Sequence, residues 1–207
     1  MPDLILASRN AGKIREFKRM LEAEHLDIDV LSLLDFPQLA DVEETGTTLA
    51  ENAKLKAVQI AEITHKPCLA DDSGIFIDIL NGNPGVYSAR WAGKHGDDQA
   101  NIEKVLREIH ECEKNGVVNR AAQFRCVVAL AFPVGHARAG EVIFVDGQMP
   151  GTIIDRPRGE HGFGYDPIFI PDGYSQTSAE LDAAEKDRIS HRGQAMRAIL
   201  PILATGL

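Results

Sequence analysis

The first twenty residues change from an apolar run to a polar segment and then to a mixed pattern. Leu4–Ala7 is apolar at every position, which is typical of a strand that is buried on both faces. The polar segment Ser8–Lys13 follows, and after it Ile14, Phe17 and Leu21 recur at helical spacing. The chain therefore opens with a predicted strand, a polar loop and a helix.

Three further helices are predicted along the chain. Thr48, with Glu51 three residues later, matches a capping box and predicts a helix that runs to about Thr64. Apolar residues at i, i+3, i+4 and i+7 from Ile102 predict a helix over 98–111. The segment 179–200 is predicted to be helical despite Gly193, and Pro201 is expected to end it.

The remaining apolar stretches, several of them bounded by turn residues, predict strands. The first of them runs into a polar break, and the third and fourth are expected to form an antiparallel pair. Because strands and helices alternate early and strands cluster late, the sequence predicts an α/β protein with a mixed sheet, as a single domain over residues 1–207. The predicted strands cover 68–70, 75–80, 124–132, 141–145, 152–155 and 168–170.

The charge and cysteine content narrow the class of function. The 207 residues include 22 Lys and Arg against 31 Asp and Glu, a formal net charge of −9. This disfavours a general nucleic-acid or anionic-membrane binder, which would need a basic face, but it leaves a small anionic substrate possible. Three cysteines without a C-x-x-C pair favour reduced thiols. With no apolar run near the roughly 20 residues of a membrane span and no signal-like start, we expect a cytoplasmic protein.

The loop Ser8–Lys13 is a candidate phosphate site. A loop between a buried strand and a helix start offers free backbone N–H groups and the positive end of the helix dipole. Lys13 adds a charge and Asn10 adds a side-chain donor. A Walker A motif is absent, because Ile14 follows the lysine. A loop with solvated cations explains the same pattern, so the loop alone leaves both interpretations open.

Asp71 and Asp72 form a candidate metal site. Unpaired carboxylates are costly to bury, and a hard cation such as Mg²⁺ removes that cost by taking oxygen ligands. Consecutive strand residues point to opposite faces, so one Asp is expected to meet the metal and the other to serve the structure. We favour Asp72, which adjoins Ser73 and Gly74. An Asp pair that caps a turn remains the alternative.

Further polar residues could join such a site. Glu43 and Glu44 precede the capped helix that contains Lys56, although acidic residues also suit a helix start for electrostatic reasons. The loop Gly162–Pro167 alternates glycines with aromatics that could stack on a purine or could simply fill the end of the sheet. Lys186 and the run 190–193 lie on the last predicted helix, where a plain polar surface is the alternative. No zinc-ligand spacing and no G-x-S-x-G motif is present.

Six motifs nevertheless occur in one order: Ser8–Lys13, Glu43–Gly46 with Glu51–Ala53, Leu69–Gly74, Pro84–Arg90, Gly162–Pro167 and Ser190–Gly193. In this combination the chain resembles the inosine triphosphate pyrophosphatase family, the dITP/XTP pyrophosphatases, from Leu4 to about Leu200. The main departure is Ser8-Arg9-Asn10, where many members have Thr-Gly-Asn. The hydroxyl and Asn10 persist, and the role of Arg9 is open.

The resemblance implies an elongated, two-lobed α/β fold with a substrate cleft, a homodimer, and Mg²⁺-dependent hydrolysis of dITP, ITP and XTP to the monophosphate and pyrophosphate. It implies that Asp72 is the general base and a metal ligand, with Glu43 as the second acidic ligand. By the same resemblance, the triphosphate would be held by Ser8, Arg9, Asn10, Ala11, Gly12, Lys13, Lys56 and Ser73. The sugar and base would be held by Phe163, Gly164, Tyr165, Asp166, Lys186, His191 and Arg192.

Base recognition is expected to depend on O6 of the purine. Hypoxanthine and xanthine present an acceptor there and adenine a donor, so donors from Lys186, Arg192 or loop N–H groups would favour the deaminated bases. Guanine shares O6, and we expect the His191–Arg192 turn to reject it. Two alternatives stay open: a related pyrophosphatase for other modified nucleotides, and a non-catalytic nucleotide-binding regulator. Asp72, Glu43 and Lys13 argue against the regulator.

Overall fold

The computed structural model describes residues 3–23, 25 and 28–207, which form six strands and five α-helices. Short 3₁₀ turns lie between several of these elements. The elements are β1 Asp3–Leu6, α1 Ala11–Ala23, β2 Asp29–Ser32, α2 Leu49–Thr64, β3 Cys68–Ile77, α3 Asp98–Lys114, β4 Ala121–Ala131, β5 Val142–Ile153, β6 Phe169–Pro171, α4 Ala183–Ile189 and α5 His191–Gly206.

The strands form one sheet in the order β2-β1-β3-β4-β5-β6. β1 pairs in parallel with β2, where Leu4 lies opposite Val30, and with β3, where Leu6 lies opposite Leu69. β5 and β6 pair antiparallel. The predicted α/β class with a mixed sheet is therefore confirmed.

The described chain divides into two compact units. Unit 1 comprises residues 1–72, 126–147 and 192–207, and unit 2 comprises residues 73–125 and 148–191. The boundary along the chain falls inside β3, between Asp72 and Ser73. The prediction of a single domain stays a prediction.

Each unit has its own apolar core. In unit 1, Leu4 and Leu6 belong to one buried cluster and Ile5 to another, as the two-residue period of a strand requires. The fully apolar run at β1 is thus buried on both faces, as predicted. In unit 2, the apolar face of α3 joins a single cluster through Ile102 and Val105. Among the described residues, no helix is long and apolar enough to cross a membrane. The three cysteines are free thiols.

Several predicted boundaries were wrong. Asp71–Gly74 is not a polar break, because β3 continues through it without interruption. The predicted strands 141–145 and 152–155 belong to one strand, β5, in which Gly151 permits close approach of β6: an added Cβ would lie 2.2 Å from the Ile170 carbonyl oxygen. The last helical segment is two helices, because Ser190 adopts an extended conformation between them.

Pro201 lies inside α5 rather than at its end. Proline ends many helices because it lacks a backbone donor. Here the buried side chains of Leu200 and Leu203 hold both sides of the proline in the unit 1 core. Burial of the residues around Pro201 therefore outweighs the tendency of proline to end a helix.

Candidate active site

The first polar loop is folded by its own side chains. The Asn10 N–H donates to Ser8 Oγ (3.1 Å), and the Asn10 side-chain oxygen accepts from the Lys13 N–H (3.1 Å) at the start of α1. Ala11 and Gly12 form the first residues of that helix. The loop thus presents a helix N-terminus, as expected for anion binding.

The Arg9 side chain makes its hydrogen bonds outside this anion-binding loop. Its guanidinium donates to the backbone carbonyls of Leu33 (2.7 Å), Phe36 (3.3 Å) and Leu39, and to Asp41 Oδ1 (2.8 Å). The side chain that was expected to hold the triphosphate is therefore engaged with another segment of unit 1.

Asp71 lies in a buried network of carboxylates and cations. Its Oδ2 is 2.8 Å from Lys13 Nζ and 3.4 Å from the Arg192 guanidinium, which in turn is 2.6 Å from Glu16. Burial alone would raise the pKa of Asp71, but the charges of Lys13 and Arg192 outweigh it and hold that pKa well below its usual range. Asp71 is therefore a stably ionised partner of two cations.

Asp72 lies in a different environment. Asn52 donates to its Oδ2 at 3.1 Å, and Lys56 lies 3.4 Å from its Oδ1. Burial raises the pKa of Asp72, and the charge of Lys56 only partly opposes it. A carboxyl group with this environment holds a proton more strongly than a solvated aspartate, which suits a general base.

Lys56 also binds a second carboxylate. Its Nζ is 2.8 Å from Glu44 Oε1, so Glu44 and Asp72 share one ammonium group. Burial would lower the pKa of Lys56, but Asp72 and Glu44 outweigh it and raise that pKa, so the lysine stays charged. Glu44, rather than the expected Glu43, is thus the glutamate beside Asp72; Glu43 is exposed.

Helix α2 positions both Asn52 and Lys56. Thr48 and Glu51 form the predicted capping box, with the Thr48 side chain accepting from the Glu51 N–H at 3.1 Å. One turn into the helix, Asn52 is fully buried, and its side-chain oxygen also accepts from the Gly46 N–H at 2.8 Å. The helix start, the preceding loop and Asp72 are therefore tied together through a single amide side chain.

In unit 2, the aromatic–glycine loop is built around a buried ion pair. Asp166 Oδ2 accepts from Lys186 Nζ (2.7 Å) and from the Phe163 N–H (2.9 Å). Lys186 Nζ also lies 5.1 Å from the centre of the Phe163 ring. Gly162 has a positive φ of 80°, and a Cβ there would meet Asp166 Oδ2 at 2.2 Å. Glycine is thus required where the loop folds over its own carboxylate.

Two further hydrogen bonds fix the same loop. The Gly164 N–H donates to Asp98 Oδ2 at 2.7 Å, at the start of α3. The Tyr165 hydroxyl donates to the Ser88 carbonyl at 2.9 Å, and burial raises the pKa of Tyr165, so it remains a neutral donor. The loop is therefore anchored at the two residues that precede its carboxylate.

Comparisons with known proteins now identify the family. The family model described as the Ham1 family matches residues 4–202. The chain belongs to the Ham1 family.

Individual relatives cover nearly the whole chain. A dITP/XTP pyrophosphatase of Streptomyces coelicolor is 50% identical, with 98% of each chain covered, and one of Bacillus anthracis is 48% identical, with 95% and 94% covered. The solved structure of a HAM1 protein from Coxiella burnetii superposes with a TM-score of 0.85 at 41% identity and 98% coverage of each chain. That of a dITP/XTP pyrophosphatase from Mycobacterium abscessus has a TM-score of 0.73 at 42% identity, with 97% and 99% covered. The resemblance seen in the sequence is confirmed.

The remaining expected site residues of this Ham1 chain divide between the units. Ser73 is half-buried on β3 at the start of unit 2. The His191 ring stacks on Phe124, with ring centres 4.9 Å apart and planes 9° apart. Arg192, the next residue, belongs to unit 1 and is bound to Glu16 and Asp71. The His191–Arg192 motif thus contributes its two side chains to different units.

Sequence reasoning missed Glu16, Asn52 and Asp98. Glu16 lies in α1 between the core residues Ile14 and Phe17 and is itself buried, so a carboxylate beside the apolar stripe was the available signal. Asn52 lies four residues after the cap residue Thr48, on the same face of α2. For Asp98, a position at a helix start has an ordinary electrostatic explanation, so the sequence offered no distinguishing signal.

Proposed function

We propose that this Ham1 chain is a Mg²⁺-dependent nucleoside triphosphate pyrophosphatase, which hydrolyses dITP, ITP and XTP to the monophosphate and pyrophosphate. Family membership and relatives named dITP/XTP pyrophosphatases support the reaction class. The observation that carries the proposal is the cluster of Asp72, Glu44 and Lys56, where a buried carboxyl group with a raised pKa shares a lysine with a second carboxylate.

The donor set of this cluster fits Mg²⁺. The described residues contain no group of three His, Cys, Asp or Glu side chains arranged around one point. Mg²⁺ is, however, commonly bound by one or two carboxylates, with substrate phosphates and water completing its six ligands. Asp72 and Glu44 would supply those two carboxylates. When bound, the ion would neutralise charge on the phosphates and on the departing pyrophosphate.

Asp72 is the proposed general base. Hydrolysis at the α-phosphorus forms one bond from a water oxygen to phosphorus and breaks the bond to the bridging oxygen of the leaving pyrophosphate. The attacking water must lose a proton, and an ionised Asp72 carboxylate can accept it. Asn52 and Lys56 hold that carboxylate in one orientation by hydrogen bonds from two sides.

Lys13 and the loop around it are the proposed phosphate ligands in unit 1. The loop presents the N-terminal backbone of α1, and Lys13 brings a cation whose position is fixed by Asp71 at 2.8 Å. A helix N-terminus together with a lysine is a suitable binding site for an anionic oxygen.

The aromatic–glycine loop is the proposed base-binding element in unit 2. Its Phe163 ring offers a stacking face, while Lys186, whose ammonium group carries three N–H donors, supplies a donor. Donors reward an oxygen at position 6 of the purine and disfavour the amino group of adenine; discrimination of this kind reaches roughly 10⁴–10⁵-fold. The proposal gives hypoxanthine and xanthine the same advantage over adenine.

A pyrophosphate-release panel tests the function. The purified chain with Mg²⁺ is incubated with dITP, ITP, XTP, dGTP, dATP and modified pyrimidine triphosphates, and the monophosphate and pyrophosphate are quantified. We expect fast release from the first three. Release of inorganic phosphate alone, a preference for pyrimidines, or no turnover at all would contradict the proposal.

The variant Asp72→Asn tests the role of the base. We expect turnover of dITP to fall by roughly 10²–10⁴-fold, the usual contribution of general base catalysis. Asp146→Asn is the matched control, because Asp146 is an exposed aspartate of the same unit. Equal turnover in Asp72→Asn and the control would rule out the assignment.

We also propose that the protein acts in the cytoplasm as a homodimer. Relatives named dITP/XTP pyrophosphatases support the compartment, because a nucleotide-pool enzyme works where nucleoside triphosphates are found. Light scattering on the purified protein tests the assembly: a mass near twice 22.6 kDa is expected, and a mass of one chain would contradict it.

A further inference from the structure

We infer that Arg9 is a positioning residue, which holds the segment 33–41 in place and thereby sets the position of Glu44 beside Lys56 and Asp72. The inference rests on the proposed function in one respect only, namely that this cluster is where the triphosphate is cleaved. The inferred role of Arg9 differs from the one that the family resemblance implies, which is contact with the triphosphate.

The hydrogen-bonding capacity of Arg9 is nearly used up within unit 1. A guanidinium group carries five N–H donors. Nε donates to Asp41, Nη1 donates to the Leu33 carbonyl, and Nη2 donates to the carbonyls of Phe36 and Leu39, which occupies four of the five. At most one N–H is left for a ligand, so Arg9 is poorly suited to bind a phosphate in the bidentate manner that makes arginine effective.

The segment that Arg9 contacts has little regular structure of its own. After the 3₁₀ turn Leu33–Asp35, residues 36–48 contain neither helix nor strand. Its backbone makes short-range bonds, such as those from the Phe36 N–H to the Leu33 carbonyl and from the Leu39 N–H to the Phe36 carbonyl. Arg9 therefore ties three carbonyls and one carboxylate of the stretch 33–41 to the first loop. It does so beside the bond from the Leu33 N–H to the Ser8 carbonyl (3.2 Å) and the packing of Phe36 and Leu39 on the unit 1 core.

A second tether fixes the other end of the same stretch. The Gly46 N–H donates to the Asn52 side chain at 2.8 Å, and the Thr47 N–H donates to Glu51 at 2.7 Å. Glu44 lies between the two tethers, three residues after Asp41 and two before Gly46. Its contact with Lys56 at 2.8 Å thus depends on a loop that is held at both ends, with Arg9 as the anchor at the first.

Hydrogen–deuterium exchange of the full-length protein tests the tether directly. In Arg9→Ala, backbone amides over 36–45 are expected to exchange at least roughly fivefold faster, the factor that corresponds to the loss of one hydrogen bond with a net contribution of about 1 kcal/mol. Exchange in the second half of α2 is expected to stay unchanged. Arg9→Lys keeps the charge but presents a compact ammonium group, so it should not restore protection at all four acceptors. Unchanged exchange over 36–45 in Arg9→Ala would overturn the inference.

Steady-state kinetics with dITP separates positioning from substrate contact. If Arg9 positions Glu44, Arg9→Ala lowers kcat and raises the Mg²⁺ concentration for half-maximal rate several-fold, while KM for dITP changes less than twofold. If Arg9 binds the triphosphate instead, KM rises several-fold with exchange unaltered, and the inference fails. Arg15→Ala is the matched control, since Arg15 is an exposed arginine of the same unit.

The exchange and kinetic experiments together also distinguish a failure of this inference from a failure of the proposed function. A wild-type protein that releases no pyrophosphate from dITP contradicts the proposed function, while the exchange experiment still decides whether Arg9 holds the segment. An active wild-type protein whose Arg9→Ala variant shows normal exchange and a normal Mg²⁺ requirement leaves the proposed function standing and removes the role of Arg9.

Discussion

The adjacent residues Asp71 and Asp72 are expected to respond in opposite ways to the same substitution. Asp71 lies 2.8 Å from Lys13 and 3.4 Å from Arg192, which hold its pKa well below the usual range against the effect of burial. Asp72 shares Lys56 with another carboxylate, and burial raises its pKa. Asp71→Asn should therefore destabilise the fold, whereas Asp72→Asn should leave stability equal or increase it.

The expected loss of stability in Asp71→Asn follows from the charges around Asp71. Asp71 lies beside two cations, Lys13 and Arg192, so the neutral side chain of the Asp71→Asn variant removes one negative charge from beside both of them. Removal of one partner of a buried ion pair costs about 3–5 kcal/mol. For a chain of this length, 1 kcal/mol lowers Tm by about 2–4 °C, so a fall of roughly 10 °C is expected.

The assay is thermal unfolding of both variants and of the exposed control Asp146→Asn, in buffer with EDTA so that no metal contributes. The folded-state pKa of Asp71 lies below its unfolded value of about 3.9. Its contribution to stability is thus fully present above that value and is lost as pH falls through the folded-state pKa. The stability gap between wild type and Asp71→Asn should be constant from about pH 5 to 8 and shrink towards pH 3. Equal destabilisation by both substitutions would refute the reasoning.

Two further predictions concern unit 2. Asp98→Ala, which removes the acceptor of the Gly164 N–H (2.7 Å), should raise KM for dITP by roughly 3–10-fold. The control is Asp97→Ala, which removes the N-cap of α3 and should lower stability by about 1 kcal/mol without changing KM. Equal KM values in the two variants would exclude the anchoring role of Asp98. Gly74→Ala should destabilise the protein by at least about 1–3 kcal/mol, because its Cβ would lie 2.1 Å from the Gly85 carbonyl oxygen; an unchanged Tm in a denaturation scan would contradict this.

The parts of the fold that depend on local signals could be predicted from the sequence. The apolar run Leu4–Ala7 is buried on both faces, and the Thr48 capping box starts a helix that ends at Thr64, as predicted. Both signals lie within a few residues of chain, where sterics and hydrogen bonding to the nearest turn decide the structure. Pro201 went against the prediction because burial of its helical neighbours outweighed a local preference.

The parts of the site that depend on contacts between distant segments could not be predicted. Glu43 and Glu44 are adjacent and chemically alike, and only the path of the 33–46 loop brings Glu44 to Lys56. Glu16 meets Arg192 across 176 residues of sequence. Arg9 could be recognised as a departure from the family pattern, but its partners lie 24 to 32 residues away along the chain. Such pairings follow from tertiary packing, which no local pattern encodes.

The difference between Asp71 and Asp72 decides which of them suits a cation. Both residues are almost equally buried, at 6% and 5% exposure, so desolvation alone would act on both in the same direction. Asp71 has two close cations, and the second carboxylate in its network, Glu16, is bound to one of them; Asp72 and Glu44 instead share Lys56. Two carboxylates meet two cations in the first set, whereas two carboxylates meet one lysine in the second. A divalent cation would therefore offset more like-charge repulsion beside Asp72 and Glu44 than beside Asp71, which supports the proposed division of roles between two residues that the sequence presents as equivalent.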